Sequence, residues 1–166
     1  MKAAKYGVMV ALAMILSYVE SLISLPVPIP GIKIGLANLV TVAALSLEGK
    51  GAAWAVSITR ICLSALLFGN LYSFVFSAAG GILSLIVMTV LSDTKKFSMT
   101  AVSCAGGVAH NLGQITAAAI IMKAAIVLAH IPLLVIGGII SGIIIGIIGS
   151  MIIGRIKKAG VKGYEN

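Results

Sequence analysis

Residues 133–153 read LLVIGGIISGIIIGIIGSMII, twenty-one positions without a charge. About 20 consecutive apolar residues carry a helix across the hydrocarbon core of a bilayer. This run therefore predicts a membrane-spanning helix, and the rest of the chain repeats the pattern. Further apolar runs occupy approximately 4–25, 33–47, 52–68, 72–91 and 99–122. They are separated by stretches that end helices: Pro26-Val27-Pro28-Ile29-Pro30-Gly31, Glu48-Gly49-Lys50-Gly51, Gly69-Asn70 and Ser92-Asp93-Thr94-Lys95-Lys96. Residues 123–132 read either as a loop or as an extension of the fifth run. The expected fold is an all-α integral membrane protein, a single domain over 1–166 with about six transmembrane helices and a basic tail at 155–166.

Composition agrees. The 166 residues are 60% hydrophobic and 10% charged, with a mean hydropathy of +1.19. A soluble domain carries roughly 25% charged residues because its surface must face water. The net charge of +8 does not point to nucleic acid, because the basic residues sit mainly at the ends of apolar runs and form no stripe with interleaved aromatics. Cys62 and Cys104 lie within apolar runs and lack CxxC spacing, so they read as small buried residues. The first run follows Lys2 and Lys5 but is longer than a signal peptide's core and lacks a cleavage signature, so it reads as a retained helix.

Charge also orients the bundle. With six crossings, Lys2, Lys5, Lys50, Lys95, Lys96, Arg155, Lys157, Lys158 and Lys162 share one side, and Lys33 and Lys123 lie on the other. Cytoplasmic loops hold the excess of Lys and Arg. Both termini are therefore expected in the cytoplasm, and the proline-rich stretch outside.

Polar side chains inside a bilayer are costly and are functional candidates for that reason. Glu20, Lys33, Asn38, Arg60, His110, Asn111 and Gln114 fall on four of the runs, yet share one depth in the outer half. His110 and Gln114 are four apart and Asn111 and Gln114 three apart, so they share a helix face. Asn38 with Thr41, and Arg60 with Ser64, do likewise. The expectation is one polar cavity that opens outward and binds a small molecule, with Arg60 suited to hold a carboxylate or phosphate through two bonds. An ion pair between Arg60 and Glu20 that only braces the bundle is the competing reading. Lys33 could equally extend to the lipid headgroups, and His110 and Asn38 could bond neighbouring helices.

Gly138, Gly142, Gly146, Ser150 and Gly154 recur every four residues, a pattern that lets helices approach closely in lipid. Ala3, Gly7 and Ala11 form a shorter ladder at the start of the chain, where a partner helix competes with packing inside the bundle.

The segments PVPIPGIKIGLANLVT at 26–41, Arg60 with Leu66-Leu67-Phe68-Gly69, and GVAHNLGQ at 107–114 resemble the bacterial family labelled Gx transporter, also called heptaprenyl diphosphate synthase component I. The resemblance covers nearly the whole chain. That family is in turn similar to the S components of energy-coupling-factor transporters, small six-helix proteins of the bacterial cell membrane that capture a vitamin or related nutrient from outside. The resemblance implies a binding site beneath the first external loop. It also implies a transmembrane coupling protein and two cytoplasmic ATPases as partners, with Ala3, Gly7 and Ala11 matching the coupling contact.

The synthase half of the family's name meets an obstacle in the residues. Prenyl diphosphate chemistry needs paired aspartate-rich motifs, because Mg²⁺ takes carboxylate and phosphate oxygens. This chain has one aspartate, Asp93, and three scattered glutamates, and it has no Walker A loop. No catalysis by this chain alone and no cofactor are expected. An accessory, non-catalytic subunit of isoprenoid or quinone metabolism is the alternative to a transporter subunit. A redox subunit is disfavoured, since His110 and His130 are not assignable to facing helices.

Overall fold

A computed structural model describes residues 2–23 and 35–160. Among these residues the chain forms six α-helices and no strand: α1 (Lys2–Leu22), α2 (Asn38–Leu47), α3 (Lys50–Phe68), α4 (Leu71–Asp93), α5 (Met99–Met122) and α6 (Ile131–Lys158). Four segments are long and apolar enough to cross a membrane: Ala3–Leu22, Lys50–Phe68, Leu71–Asp93 and Ala125–Lys158. The 24-residue α5 has the length, but His110, Asn111 and Gln114 interrupt its apolar character. The 10-residue α2 rises only about 15 Å, half a hydrocarbon core. The protein is an all-α membrane bundle.

Local chemistry sets the ends of these helices. The side chain of Asn70 accepts a hydrogen bond from Ser73 N at 2.8 Å, and Ser98 accepts one from Ala101 N at 3.2 Å, so α4 and α5 begin on side-chain caps. The ambiguous stretch 123–132 is a connector. Lys123 ends α5 in the left-handed conformation (φ 50°), a short 3-10 helix follows at Ala125–His130, and Pro132 sits in the first turn of α6. The second helix starts later than the sequence suggests, at Asn38, not near residue 33. Gly35 stands at φ +81° in the turn before it, a conformation that a side chain strains. Gly35→Ala is expected to lower stability by about 1 kcal/mol, read by thermal unfolding in detergent. Lys33 and the proline-rich stretch lie outside the described residues.

The helix α5 is the centre of the bundle and packs most extensively on α4 and α6. Its neighbours reach it through glycine. A Cβ on Gly138 would stand 2.9 Å from Gly107 O, one on Gly142 2.6 Å from Cys104 Cα, and one on Gly146 2.6 Å from Thr100 Cα. These contacts step up α5 by about a turn as they step down α6, so the two helices run antiparallel with their backbones touching. The ladder of α6 is thus internal packing at Gly138, Gly142 and Gly146. Ser150 is exposed and Gly154 faces open space. On the other flank, a Cβ on Gly113 would stand 2.7 Å from Ala79 O of α4. In lipid no hydrophobic effect drives helices together, and the dispersion contacts of close backbone approach hold them instead.

The bundle is divided along its length. The apolar core, with Val42, Leu45, Val56, Leu85, Val102 and Ile145, fills the half nearer the chain termini. At that end Lys5 pairs with Glu48 at 2.9 Å and Lys50 pairs with Asp93, which ties α1 to the end of α2 and α3 to the end of α4. The outer surface is apolar, with Ile136, Ile140, Ile144, Ile147 and Met151 exposed along α6, as expected where lipid is the solvent.

Candidate functional site

The half of the bundle away from the termini holds a cavity of about 160 Å³ with a mixed polar and apolar wall. All six helices reach it: α1 with Ser17, Glu20 and Ser21, α2 with Asn38, α3 with Arg60 and Ser64, α4 with Ser73 and Ser77, α5 with His110, Asn111 and Gln114, and α6 with Ser141. Phe68 and Phe74 supply apolar wall. Sequence spacing led to Glu20, Asn38, Arg60, His110, Asn111 and Gln114, and the fold brings these six together. Thr41 does not join them, because its side chain is buried in the core. Ala3, Gly7 and Ala11 lie exposed on α1 toward the opposite end, and a Cβ on Gly7 would meet nothing within 4 Å.

Each polar group has a local cause and a local condition. The carboxylate of Glu20 accepts a hydrogen bond from Gly35 N and so anchors the turn that launches α2. Among the described residues it does not come within ion-pairing distance of Arg60, although it acts on it electrostatically. The bracing ion pair is therefore not how Glu20 is held. Arg60 Nε is buried without a hydrogen-bond partner, and so are Ser17 Oγ and Gln114 Oε1. Buried polar atoms are normally satisfied, and leaving one unmet costs about 1–3 kcal/mol. Three such atoms around one cavity describe a surface suited to a polar guest.

The α5 residues are fixed by what flanks them. A Cβ on Gly80 would stand 2.6 Å from His110 O, 2.7 Å from Gln114 Cγ and 3.2 Å from His110 Nε2, so glycine at this position leaves room for both side chains. Asn111 Nδ2 donates to Leu134 O at 2.7 Å and locks α5 to α6 beside the cavity. Asn111→Leu is expected to cost about 0.6–1.7 kcal/mol of stability, the range for interhelical hydrogen bonds in membranes, measured by thermal unfolding.

The serines were the residues least legible in advance. Apart from Ser64, the hydroxyls of Ser17, Ser21, Ser73, Ser77 and Ser141 carried no distinguishing feature one at a time. A signal was present in pairs: Ser17 with Ser21 and Ser73 with Ser77 are four apart, the spacing of Arg60 with Ser64 and His110 with Gln114. No group of three or more His, Cys, Asp or Glu that could hold a metal ion occurs among the described residues.

No curated protein and no solved structure matches the chain. A family model does, over residues 9–152, a span that takes in the cavity-lining ends of α1 and α2, Arg60, the α5 triplet and Gly138, Gly142 and Gly146 of α6. By that match the chain belongs to the heptaprenyl diphosphate synthase component I family.

Proposed function

We propose that this protein is a membrane-embedded substrate-binding subunit of a transporter, similar to an S component, that takes a small ligand from the outer face. The observation that carries this reading is the cavity built by all six helices, with Arg60 Nε, Ser17 Oγ and Gln114 Oε1 buried on its wall without partners. Such groups destabilise an empty bundle and are compensated when a ligand supplies their bonds. The excess of Lys and Arg at the end of the bundle that carries the termini supports a cytoplasmic placement of that end, with the cavity opening outward.

The chain itself catalyses nothing in this proposal. With no Walker A loop, ATP hydrolysis falls to cytoplasmic ATPases joined through a transmembrane coupling protein. The exposed ladder Ala3, Gly7 and Ala11 supports a place for that coupling protein, since small residues admit close helix approach. A second reading, a non-catalytic accessory subunit of isoprenoid metabolism, has the family's name in its favour.

Affinity purification of the tagged chain from its own membranes distinguishes the two. Co-purification of ATPase subunits and a coupling protein, lost in Gly7→Leu, is the expected result. A stable complex with a soluble prenyl synthase and no ATPase would overturn the transporter reading.

A further inference from the structure

We propose that the ligand of this cavity is a compact, water-soluble molecule bearing a single carboxylate, and that the cavity does not hold a prenyl diphosphate. This inference rests on the binding reading above and adds the chemistry of the guest.

Charge is the first ground. Among the described residues that line the cavity, Arg60 is the one guanidinium and Glu20 the one carboxylate. A guanidinium takes a carboxylate through two parallel bonds, and one such pair balances one charge. A diphosphate carries more negative charge than one guanidinium offsets, and proteins usually hold it with Mg²⁺ or several cations. The described residues offer no metal-ligating cluster to share that charge.

Volume is the second ground. About 160 Å³ is close to an engineered cavity that accepts benzene, so it suits a guest whose enclosed part is about that size and not a heptaprenyl chain of about 35 carbons. The character of the wall is the third. Six serines line the cavity, together with the amide of Gln114. Ser21, Ser64 and Ser141 bond within the protein, to Tyr18 O, Met14 Sδ and Gly138 O, and the remaining hydroxyls offer donors and acceptors that an isoprenoid tail would not meet. Ser17 Oγ and Gln114 Oε1 are buried and already lack partners within the protein.

The test uses the full chain in nanodiscs and four probes: an aqueous metabolite extract of bacterial cells, the same extract after methyl esterification, the same extract after phosphatase treatment, and heptaprenyl diphosphate. Retained compounds are released by denaturation and identified by mass. The expected result is retention of a small carboxylic acid from the untreated and the phosphatase-treated extracts. Esterification should abolish it, and Arg60→Gln should reduce it by about tenfold or more. The esterified arm uses the wild-type chain, so the result does not depend on the variant folding. Retention of heptaprenyl diphosphate, of a phosphatase-sensitive compound, or of an esterification-resistant one would overturn the carboxylate inference and leave a binding protein. Retention of nothing from any arm would overturn both this inference and the binding function beneath it.

Discussion

Gly142→Ala is expected to lower the stability of the bundle by about 1–3 kcal/mol, the usual cost of forcing atoms into a close-packed contact. The added methyl carbon would stand 2.6 Å from Cys104 Cα and 2.8 Å from Ser103 O. Both are backbone atoms, so no side-chain rotation relieves the clash and α5 and α6 must separate. The same line of contact continues to Gly138, which meets Gly107 and Val108, one turn from His110 and Asn111. Separation at Gly142 therefore displaces one wall of the cavity, and ligand retention should fall with stability. The control lies on the same ladder. Gly154→Ala meets nothing within 4 Å and is expected to stay within about 0.5 kcal/mol of wild type. Thermal unfolding of the three proteins in one detergent checks the contrast. Equal losses in Gly142→Ala and Gly154→Ala would contradict the packing described here.

The second large effect is expected at Arg60, with opposite signs for stability and binding. Arg60 Nε is buried without a partner, and no carboxylate among the described residues lies within 4 Å of the guanidinium. Arg60 is half-buried and its Nε has lost hydration without a bond in return, so a hydrophobic residue of similar length is expected to be neutral or stabilising. Arg60→Met should leave the melting temperature unchanged or raise it, and should weaken ligand retention by about a hundredfold. A gain in stability with a loss of binding is the trade expected of a residue kept for function. If Arg60→Met instead unfolds the protein while ligand retention per folded molecule is unchanged, Arg60 is a brace for the bundle and not part of a binding surface.

How much of this was legible in the sequence depends on which physical signal each part leaves. The membrane helices were read from uninterrupted apolar length, and α6 shows why: Leu133 to Ile153 has no charge to place anywhere but lipid. The second run read as short, about 33–47, but its start at Asn38 was not readable, because Ile34 to Ala37 continues an apolar pattern. It is the left-handed turn at Gly35, with its N–H held by Glu20, that delays the helix to Asn38. The cavity was readable where a residue is costly in lipid, as Arg60, His110, Asn111 and Gln114 are, since depth along each helix was enough to group them. The serines were hidden because a hydroxyl bonds back to its own helix at little cost, as Ser150 does to Gly146 O at 2.7 Å. The relation between Glu20 and Arg60 was not legible at all. Spacing brought the two to one depth, but only the fold shows the carboxylate turned to Gly35 N.

Native mass spectrometry of the wild-type chain and Arg60→Met, each extracted from its own membranes without added ligand, tests the central claim that the cavity is a binding site. A small one-to-one adduct is expected on the wild-type protein and absent from the variant at equal folded yield. A wild-type protein that carries no adduct, or an adduct equally present on Arg60→Met, would contradict it.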